Sequence, residues 1–318
     1  MRQGWNTLAG VIGGPERLAL DRLALQNPAD DDVVVAVEWS GISTGTERLL
    51  WSGRMPHFPG MGYPLVPGYE SVGRVIAVGC AVSSVRVGER VFVPGARCFG
   101  EVRGLFGGAA SRLVVPAARV TRVDESLGEH AVLLALAATA RHVLAAPGAS
   151  PPDLIVGHGV LGRLLARIVI AEGAPPPTVW ERNPQRAAGA IGYRVCAPED
   201  DSRRDYRSIC DVSGDAKTLD ALIGRLAPGG EIVLAGFYTE PMAFNFAPAF
   251  MREARMRVAA EWKDSDLAAV MKSLADGRLS LDGLITHREE AQAADRAYRQ
   301  AFGDADCLKM ILDWRQAA

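Results

Sequence analysis

"DLIVGHGVLGRLLARIVIAEG", residues 153–173, decides the fold. It passes from an apolar run of strand length, through a glycine turn, into an apolar stretch of helical length. Gly157, Gly159 and Gly162 stand between the two in G-x-G-x-x-G spacing. In that setting the first glycine makes the tight turn and the second lets a pyrophosphate approach the backbone. The third lets helix and strand pack closely, and the helix N-terminus faces the phosphates. With 34 glycines in 318 residues the bare triplet says little, and its position between strand and helix carries the reading. Gly157, His158, Gly159, Val160, Leu161 and Gly162 are the expected cradle of a dinucleotide.

Working outward, "TVWER" ends the next strand-like run with Glu181, 24 positions after Gly157. An acid there bonds the adenosine ribose diol and repels a 2′-phosphate, which favours NAD. Arg182 follows at once, and an arginine there accepts the phosphate of NADP, so NAD is favoured without closing the alternative. "CDVSGD" (210–215) and "EIVLAGFY" (231–238) would end at the carboxyl edge of the same sheet. Ser213, Gly214, Gly236 and Phe237 are expected to line the nicotinamide half, or else to be ordinary strand-end turns. Apolar runs alternate with helical stretches from residue 153 to about 262, which gives an α/β class with a doubly wound parallel sheet.

The first 120 residues have another rhythm, with short strand-like runs such as "DDVVVAVEWSGIS" punctuated by Gly and Pro, as in a barrel-like β unit. "ESLGEHAVLLALAATARHVL" (125–144) reads as one helix, with Ser126 as its N-cap. The final fifty or so residues are expected to return to the β-rich part. The division expected is a β-rich domain of residues 1–142 with 263–318, and a nucleotide-binding domain of residues 143–262.

Hydrophobic residues at 48% and charged residues at 23% allow two substantial cores. A net charge of −2 with mixed signs gives no electrostatic case for nucleic acid. The N-terminal stretch "MRQGWNTLAGVIGG" has no apolar core of signal-peptide length, and no uninterrupted apolar run reaches the length of a membrane span. Five cysteines without C-x-x-C spacing argue against a disulfide framework and point to a reducing cytoplasm. The sequence does not give the oligomeric state, and a homodimer is compatible with it.

The stretches "GISTGTE", "PLVPGYESVGRVIAVG", "VRVGERVFV", "GHGVLG", "DVSG" and "PGGEIVLAGF" resemble the medium-chain dehydrogenase/reductase family over nearly the full chain. The resemblance implies a Rossmann domain inserted in a β-rich, GroES-like catalytic domain with a C-terminal return. Within that family, "WSGISTGTERLLWSGRMPHFPGMGYPLVPGYESVGRV", "VPGARCFGEVRGLFGGAA" and "AFGDADCLKMILDW" are similar to members that act on tetrapyrroles of the bacteriochlorophyllide type. Such members oxidise a 3-(1-hydroxyethyl) side chain to a 3-acetyl group. Two rival readings are a zinc-free, NADPH-dependent enone or quinone reductase, and a nucleotide-binding pigment carrier that has lost catalysis.

Zinc-dependent members of the family use a Cys, a His and an acid or Cys. Here those positions match Ser43, Tyr69 and Ala135, which do not supply zinc donors. No metal is expected. Without one, the reaction needs hydrogen bonds to the carbinol oxygen, a proton acceptor and alignment with the nicotinamide. Tyr69, Ser43 and Thr44 inherit the neighbourhood of the lost metal and are expected to hold that oxygen, unless they are merely a packed ring and turn hydroxyls. Tyr69 as base would need a lowered pKa, and adjacent Glu70 works against that. Glu70 is itself a candidate, and His158 is a candidate proton relay or a turn residue. His57, in "MPHFPGMGYP", and the stretch "GLFGGAA" are candidates to face a flat substrate.

Overall fold

The protein, described over residues 4–317 by a computed structural model, divides into two compact units. One runs through residue 134 and resumes at 284, and the other is residues 135–283.

In the first unit the strands are β1 (Asn6–Gly14), β2 (Arg17–Ala24), β3 (Asp32–Ile42), β4 (Leu65–Pro67), β5 (Ser71–Val78), β6 (Arg90–Val93), β7 (Arg103–Leu105), β8 (Arg112–Pro116) and β9 (Thr121–Arg122). Helix α1 (Thr46–Ser52) follows β3 directly. A four-stranded sheet has the order β2-β1-β4-β7. The larger sheet is organised on β3, whose Val33, Val34 and Val35 are wholly buried. Each valine removed from water contributes about 1.5–3 kcal/mol, so a long apolar strand belongs at the centre of the sheet. β3 pairs antiparallel with both β5 and β8.

The second unit takes in most of α2 (Leu134–His142) and then alternates strand and helix. β10 (Leu154–Val156), α3 (Val160–Ala171), β11 (Thr178–Trp180), α4 (Pro184–Ala187) and β12 (Arg194–Cys196) come first. β13 (Tyr206–Asp211), α5 (Leu219–Ile223), β14 (Leu226–Leu234), α6 (Phe246–Met251), β15 (Arg255–Val258) and α7 (Asp264–Ala275) complete it. All six strands are parallel, in the order β12-β11-β10-β13-β14-β15. The reversal between β10 and β13 opens a crevice at the carboxyl ends, where such sheets bind ligands.

The chain then returns to the first unit as β16 (His287–Glu290), α8 (Ala294–Gly303) and β17 (Met310–Asp313). β17 lies antiparallel to β3, with Met310 opposite Ile42. That register brings the C-terminal segment beside the residues that follow β3.

Three expectations are corrected here. The domain boundary falls at 283/284 rather than 262/263, because α7 and its following turn are tied to the second unit. Asp266 bonds His142 at 2.7 Å, and Arg167 donates to the carbonyls of Ser280 and Asp282. The boundary expected at 142/143 falls at 134/135, which places nearly all of α2 in the second unit. The expected helix 125–144 is a 3₁₀ stretch, Glu125–Leu133, running into α2, with Gly128 in a non-helical conformation (φ 48°). Its cap is Asp124, whose carboxylate accepts the Ser126 N–H at 2.9 Å, so Ser126 is capped rather than capping.

Candidate active site

The end of β3 and the turn between β4 and β5 bring together the residues that follow them. Ser43 lies one residue beyond β3 and Tyr69 two residues beyond β4. The Tyr69 hydroxyl donates to Ser43 Oγ at 2.8 Å, and the Thr46 hydroxyl also bonds the phenol. Ser43 is buried, whereas Tyr69 is half-buried with its ring edge-on to Phe106, centroids 5.7 Å apart. Phe106 is 37% exposed and gives the hydroxyl pair an apolar wall. Loss of hydration, and then the charge of Glu70, push the phenol well above the ordinary tyrosine range. Tyr69 is therefore a hydrogen-bonding group and not a base.

Beneath this pair lies a second layer of buried polar groups. Glu47 is fully buried in the first turn of α1. One of its oxygens accepts the Ser43 N–H at 3.1 Å, and the other accepts the Tyr298 hydroxyl from α8 at 2.5 Å. Burial pushes its pKa up to about 7, against the lowering effect of the Tyr298 bond. Glu70 is equally buried and bonds the buried Lys309 at 2.5 Å, and Lys309 also donates to the Ile42 carbonyl at 3.1 Å. Burial raises the Glu70 carboxyl and Lys309 opposes the rise.

In the second unit the glycine turn follows β10. Gly157 has φ +104°, which glycine adopts without a steric cost. A Cβ at Gly162 would stand 1.9 Å from the Gly157 carbonyl oxygen, so α3 packs on the turn only with glycine there. At Gly159 a Cβ would meet nothing within 4 Å, which leaves open space before the N-terminus of α3. Val160 is the first residue of that helix and Leu161 the second. A pyrophosphate fits this cradle by charge and by space.

Ser213 lies against Gly157, its backbone 3.4 Å from where a Cβ there would be. Gly214 and Gly236 are packed back to back, and Phe237 is 50% exposed. Thus the ends of β10, β13 and β14 converge at one edge. Glu181 follows β11, where its carboxylate accepts the N–H of His158 at 3.2 Å and of Asn183 at 2.8 Å. Arg182 is exposed beside it.

Residues 29–125 match the alcohol dehydrogenase GroES-like domain. The 2-desacetyl-2-hydroxyethyl bacteriochlorophyllide A dehydrogenase of Rhodobacter capsulatus is 56% identical, over 96% of this chain and 98% of its own. The protein of the same name from Cereibacter sphaeroides is 57% identical, over 98% and 99%. The chain belongs to this bacteriochlorophyllide dehydrogenase family, within the medium-chain dehydrogenase/reductase superfamily. An Escherichia coli CFT073 alcohol dehydrogenase crystallised with NADH has the same fold, with a TM-score of 0.82 at 23% identity over 97% and 99% of the chains. The chain is therefore an enzyme, a dehydrogenase of the medium-chain type.

Family membership implies a zinc site in the zinc-dependent branch, and the donor set can be tested against it. Ser43 and Tyr69 present protonated hydroxyls bonded to each other, and Ala135 presents a buried methyl. Zinc takes thiolate, imidazole or carboxylate donors, so these positions do not fit it. Among the described residues no three His, Cys, Asp or Glu side chains stand together as a metal site. No helix of the described residues is long and apolar enough to cross a membrane.

The sequence reading brought Tyr69 and Ser43 together, but other expectations shift. Thr44 is exposed in the turn, and Thr46, two residues on, bonds the phenol instead. Glu70 is sealed in its ion pair with Lys309 and is not a surface proton acceptor. His158 is buried, with Nδ1 donating to the Arg186 carbonyl at 2.6 Å and Nε2 accepting from Tyr193 at 2.8 Å. Burial holds its pKa down to about 4, so the ring stays neutral and anchors the turn rather than relaying protons. Phe106 belongs to the "GLFGGAA" stretch expected to face the substrate, whereas Glu47, Tyr298 and Lys309 are not marked by the sequence reading. Glu47 sits in the quoted "GISTGTE" and was within reach, whereas Tyr298 and Lys309 lie more than 200 residues from their partners.

Proposed function

We propose that this enzyme oxidises the 3-(1-hydroxyethyl) group of a bacteriochlorophyllide-type tetrapyrrole to the 3-acetyl group, with NAD and without zinc. The substrate class rests on the names of the relatives at 56–57% identity. The observation that carries the metal-free reading is the Tyr69–Ser43 hydroxyl pair at the positions of two zinc ligands.

NAD, when bound, would supply the hydride acceptor. Gly159, Val160, Leu161 and Gly162, at the start of α3, would hold its pyrophosphate by backbone N–H groups, Gly157 and His158 shape the turn beneath it, and Glu181 would take the adenosine ribose diol. The Glu181 carboxylate repels a 2′-phosphate, which supports NAD over NADP despite the exposed Arg182. Ser213, Gly214, Gly236 and Phe237 border the nicotinamide. In the first unit, the Tyr69 and Ser43 hydroxyls hold the carbinol oxygen in place, Phe106 excludes water on one side, and the hydroxyl proton passes to solvent water past the exposed Thr44, since Tyr69, Glu70 and His158 are not placed to accept it. The carbinol carbon is attached to a conjugated macrocycle that spreads positive charge as hydride leaves, which reduces the need for a Lewis acid.

A homodimer belongs to the same reading. β15 is an edge strand, and Phe246, Phe250, Met251 and Val258 on α6 and β15 are 65–76% exposed, which supports a second copy as the occupant of that face.

The test is turnover of the purified pigment with NAD and, separately, with NADP, followed by the absorption shift from hydroxyethyl to acetyl form. Conversion with NAD at least tenfold more efficient than with NADP is expected. A binding-only protein that gives no acetyl product would support the carrier reading instead.

A further inference from the structure

Two carboxyl groups lie fully buried behind the hydroxyl pair, and only one of them has a cation in contact. Glu70 is bonded to Lys309 at 2.5 Å. Glu47 is bonded by neutral donors alone, the Ser43 N–H at 3.1 Å and the Tyr298 hydroxyl at 2.5 Å. A buried carboxylate without a contacting cation keeps its field, whereas one in an ion pair is largely cancelled.

Ser43 links Glu47 to the surface of the site. Its N–H is fixed by Glu47 and its Oγ accepts the Tyr69 proton at 2.8 Å. Resting on the reading of that pair as the holder of the carbinol oxygen, we propose that Glu47 is the positioning residue of this site. Clamped between Tyr298 and the Ser43 N–H, it fixes the Ser43 hydroxyl and places one negative charge behind the oxygen-binding pair. That charge favours the transition state in which hydride departs and positive charge grows on the carbinol carbon. Glu47 reaches neither substrate nor cofactor, being fully buried, so it acts through Ser43.

The groups that face Glu47 set when the charge is present. Tyr298 comes from α8, Glu70 and Tyr69 from the β4–β5 turn, Lys309 from the residue before β17, and Ser43 from the end of β3. Burial and the like charge of Glu70 raise the carboxyl, while the Tyr298 and Ser43 bonds and the more distant Lys309 lower it, leaving it near pH 7. The charge is thus absent in mild acid and present in mild base.

The experiment reads the carboxyl and the reaction separately. ¹³C-labelled glutamate carboxyls of the unliganded protein are titrated by NMR in wild type, Glu47→Gln and Tyr298→Phe. Initial rates of pigment oxidation with NAD are then measured across the same pH range. Wild type should show one carboxyl resonance titrating near pH 7 that is missing in Glu47→Gln. In Tyr298→Phe the midpoint should move upward, because a donor to the ionised form is lost. The acid limb of kcat should share the wild-type midpoint and flatten in Glu47→Gln, with kcat above it lower by about ten- to a hundredfold and KM changed less than about twofold. The absence of a carboxyl titrating in the neutral range overturns the proposal. So does an acid limb of kcat that persists in Glu47→Gln, or an unmoved midpoint in Tyr298→Phe. Wild-type protein that titrates as described yet never converts pigment would instead refute the substrate reading.

Discussion

Tyr69 donates its proton to Ser43 and is held by burial above the range in which phenols ionise. A group in that state can fix an oxygen but cannot take its proton. Tyr69→Phe removes only the hydroxyl and keeps the edge-on contact with Phe106, so kcat should fall by about ten- to a hundredfold while stability hardly changes. Steady-state kinetics beside a thermal melt would separate the two. Glu181 offers a second test, because its Ala variant should lower the NAD-to-NADP ratio of kcat/KM by roughly tenfold, through lost repulsion of the 2′-phosphate. At this scale the sequence reading was uneven for a physical reason. Tyr69 and Ser43 announce themselves because a motif places them, but which hydroxyl of "STGTE" turns inward depends on how α1 starts. Thr46 rather than Thr44 faces the phenol for that reason. Glu47 and Tyr298 are 251 residues apart, and no local pattern pairs them.

The C-terminal return carries more than its length suggests. Through β17 beside β3 it delivers Lys309 to Glu70, and through α8 it delivers Tyr298 to Glu47. Lys309→Met would leave the Glu70 carboxylate buried and uncompensated, and should cost about 3–5 kcal/mol in urea unfolding at neutral pH. The pH dependence has a definite sign. Glu47 has its folded-state pKa raised to about 7 from an ordinary value of 4.5. The stability this group contributes is full below about 4.5 and is lost as pH rises through about 7. Wild-type protein should therefore lose unfolding free energy between pH 5 and pH 8, by on the order of 3 kcal/mol from this group, and Glu47→Gln should lose less. The return was legible as an expectation, but its start was not. α7 looks like any amphipathic helix in sequence, and contacts made only in the fold, His142–Asp266, Arg167–Ser280 and Arg278–Ala171 among them, assign it to the second unit. Similarly, "KTLDALIGRLAPGG" reads as helix, yet the helix stops at Ile223 and β14 begins at Leu226.

For the molecule as a whole, two cores fold around one discontinuous chain, one in each compact unit. The four inner parallel strands were readable because each carries a short apolar run with turn residues at its ends, a pattern set by burial on both faces, whereas the edge strands β12 and β15 carry arginines and are not buried. The face formed by α6 and β15 leads to a prediction about assembly. Phe246→Asp with Phe250→Asp should convert a dimer to a monomer in sedimentation velocity, with the fold retained by circular dichroism. A wild-type protein that sediments as a monomer at micromolar concentration would remove the homodimer from the account. The central claim is that hydroxyls replaced the metal while nucleotide chemistry was kept. It is tested most directly by treating the protein with a strong chelator, dialysing it, and following the oxidation of the hydroxyethyl pigment by NAD in metal-free buffer. The account predicts an acetyl-pigment absorption shift at the untreated rate, with no gain on adding zinc. Activity lost on chelation and restored by zinc would contradict it.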